Sequence, residues 1–317
     1  MSNTRGCHTA PSFSISYWMR KVIVLLFVAA VIMTTAGCGH GTVGSAALET
    51  YEYTDDYGSV VNVPQNPQRI VSLSPAVTEI MFSLGADSLL VGRTEFCTYP
   101  KAALQIENIG GISNLNVEKV LSRNPDLIIS GSMVPEKTVR QFAEMGVPMV
   151  CVIEKPKFDG LFQNITKIGS LVGHDAQADS LNARLKRQLT LLEKDSYNVA
   201  DGHRPTVYYV VGFGNGGNFT AGGNTFINDI INMAGGKNIA EESEGWTFSI
   251  EALMDADPDF ILIRAEDSAR FCQTTPYNQL TAVKKGHTIA LEDGILDLQV
   301  PRNIEVIRRL KDRFATK

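Results

Sequence analysis

Aromatic side chains in predicted loops are the residues of this chain best suited to hold a ligand. They are Phe96 and Tyr99 after one predicted strand, Phe213 and Phe219 after another, and Trp246 just before a predicted helix. Loops at the carboxyl ends of parallel strands are where open α/β sheets bind ligands. Any one of these rings could instead anchor its loop in the core. Together they predict a cleft with flat, apolar walls.

Two acidic residues occupy the same place in an internal repeat. Its copies span residues 116–129 and 249–262, matched without a gap at an offset of 133 residues. Asn116 or Ser249 is a good N-cap, and Glu118 or Glu251 follows in the first helical turn, where the helix dipole favours an anion. A Pro-Asp turn then ends the helix, and an apolar strand follows. This connection is common by chance in α/β proteins, but the gap-free register favours a duplication into two similar lobes.

The sequence contains no convincing catalytic or cofactor-binding motif. Residues 212–217 fit G-x-G-x-x-G, but the loop continues to Gly223 and the nearest suitable acid, Asp229, lies inside the next predicted helix, which argues against a nucleotide. The histidines form no metal-binding pair, and a compact site needs about three or four converging ligands. The chain has no G-x-S-x-G. We therefore predict no catalytic residues, no metal and no cofactor.

The first 37 residues have the pattern of a signal peptide. Met19 begins a short basic region and is a better start than Met1, and an apolar run of 12 residues, 22–33, is too short to span a bilayer. Small residues then precede Cys38, which we predict to be the lipidated first residue of the processed protein. An ordinary signal peptide cut near Ala36 is the alternative.

The processed chain is acidic and of two-lobe size. Residues 1–37 hold three basic residues and no acid, so 26 basic and 34 acidic residues remain among 280. This balance argues against a nucleic-acid partner. Apart from Cys38, the cysteines left are Cys97, Cys151 and Cys272, too few for a disulfide framework. Cys151 is predicted to be buried, and Cys97 and Cys272 could pair only if their loops meet.

Strand and helix patterns divide the processed chain into parts. After a tether at 38–50, strands and helices alternate through 51–157, which predicts an α/β lobe with a mainly parallel sheet. Residues 158–204 have helical spacing and include a helix roughly 30 Å long, suited to join two lobes. Alternation resumes in a second α/β lobe at 205–317.

Several motifs in order resemble one known family. They are Arg69 to Glu79, the Tyr99-Pro100 pair, Leu115 to Glu118, Pro125 to Ile129, Thr220 to Gly223, and Trp246 followed by Glu251 and Pro258-Asp259. The chain is similar over about residues 50–315 to the substrate-binding proteins of bacterial ABC importers for vitamin B12 and iron chelates. The resemblance implies two α/β lobes joined by a rigid long helix, with the ligand in a cleft between them.

The resemblance also implies roles for individual residues. Glu118 and Glu251 would each meet an arginine of the membrane permease dimer, and Tyr99 and Trp246 would face the ligand. Asn114, in the loop before Glu118, is also predicted to contact the ligand. This chain has Gly111 to Asn114 where cobalamin binders carry a tryptophan, so the ligand could be a corrinoid or a ferric chelate.

The function expected is therefore that of a lipid-anchored, extracytoplasmic solute-binding protein, monomeric, delivering its ligand to an ABC importer. A binder of haem or a catecholate siderophore is the alternative within the class, since Arg264 and Arg270 would suit an anionic chelate or merely a solvated face. An exported enzyme on a similar scaffold is the alternative outside it, and would need a nucleophile–base pair or a metal in the cleft.

Overall fold

The computed structural model describes residues 49–112, 115–131, 134–196, 204–243, 245–292 and 294–316. The predicted signal peptide, Cys38 and Asn114 lie outside these ranges. The described residues belong to one compact unit. No helix in the described ranges combines the length and the apolar character needed to cross a membrane.

Lobe one is built on a four-stranded parallel sheet. Its elements are β1 (Thr50–Thr54), β2 (Val60–Pro64), β3 (Ile70–Ser72), α1 (Pro75–Ser83), β4 (Leu90–Arg93), α2 (Val117–Leu121), β5 (Leu127–Ser130), α3 (Glu136–Glu144) and β6 (Met149–Cys151). The sheet order is β4-β3-β5-β6. β1 and β2 form a separate antiparallel hairpin, whose turn contains Gly58 at a φ of 80°. Short 3-10 helices lie at Asp87–Leu89 and Lys101–Gln105.

Lobe two has the same sheet architecture. Its elements are β7 (Thr206–Val210), α6 (Phe226–Met233), β8 (Lys237–Asn238), α7 (Ile250–Ala256), β9 (Phe260–Arg264), α8 (Ala265–Gln273), α9 (Thr281–Lys284), β10 (Thr288–Leu291) and α10 (Asn303–Phe314), with a 3-10 helix at Tyr277–Gln279. Its sheet, read from β8, has the order β8-β7-β9-β10, all parallel. This matches β4-β3-β5-β6 strand for strand, which confirms the prediction of two similar lobes.

Backbone details repeat with the same offset as the sequence. Asn124 and Asp257, 133 positions apart, are the non-glycine residues with a positive φ in the described ranges, at 47° and 34°. Short polar residues tolerate this left-handed conformation best. Two residues further along each copy, the carboxylate of Asp126 accepts from the Arg69 amide at 3.0 Å, and that of Asp259 accepts from the Thr206 amide at 2.8 Å. The duplicated segment therefore aligns neighbouring strands identically in each lobe.

Two helices join the lobes. They are α4 (Gly160–Leu171) and α5 (Asp175–Ser196), separated at Gly173, which has a φ of 71°. The 22 residues of α5 give a length of about 33 Å at 1.5 Å per residue. Helix α5 packs on α4 and also on α10 of lobe two, while α4 packs on α1 of lobe one. The predicted long linker helix is thus confirmed.

One apolar core extends through both lobes and the linker. Alternate residues of each sheet point to opposite faces, so Val71 and Ile128 enter a core private to lobe one, and Tyr208 and Ile261 one private to lobe two. Apolar residues that alternate with these along the strands enter the shared core. Its sheet members include Ile70, Leu127, Val207, Tyr209 and Phe260, joined by Leu161, Ile165, Leu181 and Leu185 of the linker.

Candidate functional site

An open cavity of about 350 Å³ lies between the lobes. Lobe one lines it with Pro75, Glu79, Glu95, Phe96, Thr98 and Tyr99, and lobe two with Gly294, Asp297, Leu298 and Arg302. Phe96 and Tyr99 follow the carboxyl end of β4, and the side chains remain 56% and 44% exposed. Two of the sequence-predicted aromatics therefore line a cavity to which both lobes contribute.

Arg302 connects the lobes across this cavity. Its guanidinium lies 4.2 Å from the centre of the Tyr99 ring, and its Nε donates to Glu79 of α1 at 2.8 Å. Glu79 is buried, and this burial raises the pKa of its carboxyl group, although the charge of Arg302 acts to lower it. One face of Tyr99 is thus covered by an arginine from the opposite lobe, which fixes the ring in the wall of the cavity.

Arg264 is held in the same region by a lobe-two acid. It ends β9, and its guanidinium pairs with Asp297 at 2.9 Å, while the Tyr209 hydroxyl donates to the other oxygen of Asp297 at 2.8 Å. Since Asp297 lines the cavity, Arg264 lies one residue behind its wall. The predicted ligand contact at Arg264 would have to be made by a guanidinium that is already paired.

A second cavity of about 130 Å³ shares Pro75, Asp297 and Leu298 with the first. Its polar lining includes Glu154, which follows β6, and Asn164 of α4, whose buried Oδ1 has no hydrogen-bond partner in the structure. Burial raises the pKa of Glu154 from its ordinary value of 4.5 to about 7, opposed by the Gln299 amide and reinforced by the negative charge of Asp297.

Glu154 leads to a prediction on stability. A carboxyl group that holds its proton more tightly when folded makes the free energy of unfolding decrease as pH rises between the two pKa values. We expect this decrease between about pH 4.5 and pH 7. In Glu154→Gln, denaturant unfolding at several pH values should show a shallower slope there, whereas Glu144→Gln, an exposed acid on α3, should keep the wild-type slope. An unaltered slope in Glu154→Gln would contradict the assignment.

Phe219 and Trp246 are brought together by two loops that pair. Phe219 forms isolated antiparallel bridges with Gly212 and Thr247, and the amide of Thr220 donates to the carbonyl of Trp246 at 2.8 Å. Both side chains remain exposed, at 36% and 47%. They follow the carboxyl ends of β7 and β8, on the sheet edge where ligands of parallel α/β sheets bind.

Two glycines allow these loops to approach each other. A Cβ at Gly222 would lie 2.4 Å from the carbonyl oxygen of Ser243, and one at Gly223 would lie 2.1 Å from that of Glu241. No side chain fits at such distances, so the Thr220–Gly223 motif exists to let the two backbones meet. Asn238 stabilises the contact by donating to the carbonyl of Ala221 at 2.8 Å. The motif therefore positions Trp246.

Phe213 has less free surface than the other predicted aromatics. Its ring packs edge-on against Phe271 and Tyr277, with centroid distances of 5.1 and 5.5 Å. The Arg270 guanidinium lies 4.2 Å from its centre. Phe213 belongs mainly to the core of lobe two, where it anchors the loop that carries Phe219.

Glu118 and Glu251 occupy equivalent, exposed positions at helix starts. Asn116 caps α2 by accepting from the Lys119 amide at 2.9 Å, and Ser249 caps α7 by accepting from the Ala252 amide at 3.0 Å, as predicted. Among the described residues neither glutamate takes part in an ion pair. Each lobe therefore carries one exposed glutamate, unpaired within the described ranges, at an equivalent helix start.

The three described cysteines, Cys97, Cys151 and Cys272, are free thiols. Cys97 and Cys151 are buried. Cys97 and Cys272 do not form a disulfide with each other. In the described ranges no group of three or more His, Cys, Asp or Glu is arranged to hold a metal ion.

The charged residues of the cleft could not be predicted from the sequence. Glu79, Asp297 and Arg302 carry no local signal, because Arg302 and Glu79 are 223 positions apart and meet only in the fold. Glu79 appeared merely as part of a family motif. The one hint of an ion pair is the position of Glu79 on the apolar helix α1, where it is buried. Glutamate is rarely buried without a partner.

This fold and this interlobe cleft define a class of protein. The family model described as periplasmic binding protein matches residues 70–293, and the chain belongs to this family. It is a family of solute-binding proteins and not of enzymes, which removes the alternative of an exported enzyme.

Individual members of the family extend the likeness to nearly the whole chain. The uncharacterized ABC transporter substrate-binding lipoprotein YvrC of Bacillus subtilis is 28% identical over 299 residues, 90% of this chain and 94% of that protein. A cobalamin-binding protein of Halobacterium salinarum is 28% identical over 316 residues, 93% of this chain and 84% of that protein. The crystal structure of a periplasmic heme binding protein from Pseudomonas aeruginosa has 27% identity and a TM-score of 0.72, covering 79% of this chain and 94% of that one.

Proposed function

We propose that this protein captures a corrinoid or a ferric chelate, haem included, and delivers it to the permease of an ABC importer. The observation that carries the proposal is a cavity between two α/β lobes in which Phe96 and Tyr99 of lobe one line the wall. The exposed rings of Phe219 and Trp246 lie in loops at the carboxyl ends of the lobe-two strands. Flat apolar walls of this kind suit a large ring system. The names of the cobalamin-binding and heme-binding relatives support the same ligand classes.

Glu118 and Glu251 supply the docking contacts in this proposal. Each is exposed on the first turn of an N-capped helix, and the shared strand order places them in equivalent positions of the two lobes. Two basic sockets of a two-fold permease would match this arrangement, because the binding protein then presents one acid to each half. The name of the Bacillus subtilis relative supports an ABC transporter as the partner.

The natural tryptophan content gives a direct binding test. The chain has two tryptophans, Trp18 in the predicted signal peptide and Trp246 in the loop after β8, so a soluble chain of residues 39–317 reports through Trp246 alone. Titration with cyanocobalamin, haem and a ferric catecholate should give saturable quenching by at least one of them. Free N-acetyltryptophanamide titrated in parallel corrects for light absorbed by the ligand. Absence of saturation with all three would contradict the proposed function.

The membrane anchor is a further part of the proposal. Cys38 follows Ala36-Gly37 at the end of the signal-type segment, and the Bacillus subtilis relative is named as a lipoprotein. Attachment to the outer face of a membrane would keep the protein close to its permease after each release of ligand.

Cys38→Ser is expected to abolish lipidation, because serine offers no thiol for the acyl-glycerol group. Fractionated cells should show the variant in the soluble extracytoplasmic fraction or as unprocessed precursor. Cys272→Ser, which changes a free cysteine of lobe two far from the processing site, is the matched control and should remain anchored. A Cys38→Ser protein that is processed normally and stays with the membrane would show that the anchor lies elsewhere.

A further inference from the structure

We infer that the cleft selects a ligand without net negative charge, and therefore a corrinoid with uncharged amide side chains over haem or an anionic ferric chelate. The inference rests on the proposed function, since it concerns the ligand of the same cleft. It follows from the charges that line the cavity and from the partners that its arginines already have.

Acidic side chains predominate in the cavity wall. Its charged lining residues are Glu79, Glu95 and Asp297 against Arg302 alone. Their further ion-pair partners are Glu292 and Arg264, so the wall and its partners together hold four acids and two arginines. Glu95 is exposed and has no ion-pair partner among the described residues. An entering anion would thus meet an excess of negative charge.

The arginines are not available to compensate. Arg302 is held by Glu79 at 2.8 Å and by Glu292 at 3.4 Å, and Arg264 is held by Asp297 at 2.9 Å. Both guanidinium groups are largely covered, so a carboxylate of the ligand could bind them only by displacing an acid of the protein. Breaking a partly buried pair leaves that acid uncompensated, which is unfavourable.

Two further arginines, Arg270 and Arg93, also have partners within the protein. Arg270 pairs with Asp267 at 2.7 Å and lies over Phe213. Arg93 is buried and donates to the carbonyls of Ala103 and Thr94 at 2.8 and 3.0 Å, and it does not line the cavity. A neutral ligand can instead stack on the exposed rings and accept or donate hydrogen bonds without opening any of these pairs.

A pair of ligands that differ by one charge tests the inference. Cyanocobalamin and its monocarboxylate, in which one peripheral amide is hydrolysed, have nearly the same size and shape. We expect the monocarboxylate to bind residues 39–317 about fivefold to tenfold more weakly at low ionic strength. The difference should shrink in salt, because charges are screened over about 10 Å at 0.1 M. Haem should bind more weakly than cyanocobalamin.

Two variants test whether the acids of the cavity wall cause the weaker binding of the monocarboxylate. Glu95→Gln removes one negative charge from the wall without breaking an ion pair, and should narrow the ratio of the two dissociation constants about twofold to threefold. Glu52→Gln, an exposed acid on β1 of the hairpin, should leave the ratio unchanged. An unchanged ratio in Glu95→Gln would overturn the role assigned to the lining charge.

The outcomes separate this inference from the function on which it rests. Tighter binding of haem, of a ferric catecholate or of the monocarboxylate than of cyanocobalamin would overturn the charge selection and leave the proposed function standing. Failure of all these ligands to bind would overturn both.

Discussion

Replacing Glu118 and Glu251 together by lysine is expected to abolish ligand uptake by cells while leaving ligand affinity in solution unchanged. Both carboxylates are exposed and lie at equivalent helix starts, one on each lobe. A single exposed ion pair contributes only about 0–1 kcal/mol, but pairs desolvated at an interface contribute more and fix its register. Reversing both charges places cations against basic sockets, so docking should fail through repulsion as well as through lost contacts.

The measurement combines radiolabelled uptake in cells with a binding titration of the purified double variant. Glu144→Lys with Asp255→Lys makes the same total change in charge at exposed sites on α3 and α7, and this control should transport normally. If each acid served only its own helix dipole, worth about 0.3–1 kcal/mol, uptake would survive and thermal stability would fall slightly. Normal transport by a correctly anchored Glu118→Lys, Glu251→Lys protein would therefore exclude the docking role.

Trp246→Ala is expected to weaken ligand binding by about tenfold or more without unfolding the protein. Packing of a large ring on an aromatic side chain contributes about 0.5–1.5 kcal/mol beyond the burial of area, and the apolar area itself adds to this loss. A decade in the dissociation constant corresponds to about 1.4 kcal/mol. Because the indole is half exposed in the absence of ligand, its removal should leave the core intact.

The variant lacks the fluorophore, so isothermal titration calorimetry is the appropriate measurement. Tyr57→Ala removes another exposed aromatic, at the turn of the β1–β2 hairpin, and should bind like the wild type. Trp246→Phe should recover part of the affinity, since a smaller ring keeps some of the contact. Wild-type affinity in a folded Trp246→Ala protein would show that the indole does not touch the ligand.

The repeat made much of the fold predictable from the sequence. The N-caps Asn116 and Ser249, the helices behind them and the following strands were all expected from local chemistry, and the structure adds the left-handed residues Asn124 and Asp257 at the same offset. Helix α10 buries apolar residues at helical spacing, including Ile307 and Leu310, so its sequence also indicates a helix. Local periodicity is informative in such an element because one of its faces is buried.

Two short elements of lobe two were not predicted. Helix α8 buries Phe271 alone among its residues, so no apolar stripe marks it, and β8 is two residues long. The aromatic loops of the site were predictable because they follow strands. The ion pairs of Arg302 and Arg264 were not, because they depend on how distant segments meet.

The apolar core that lobes and linker hold in common makes the protein a single cooperative unit. Melting either lobe would expose the shared face of the other, including Ile70 and Leu127 on one side and Val207 and Phe260 on the other. Partial unfolding is therefore costly, and calorimetry of residues 39–317 should show one transition whose van't Hoff and calorimetric enthalpies agree. A ligand held between the lobes then raises the melting temperature of the whole molecule by mass action, although it contacts only the residues of the cleft.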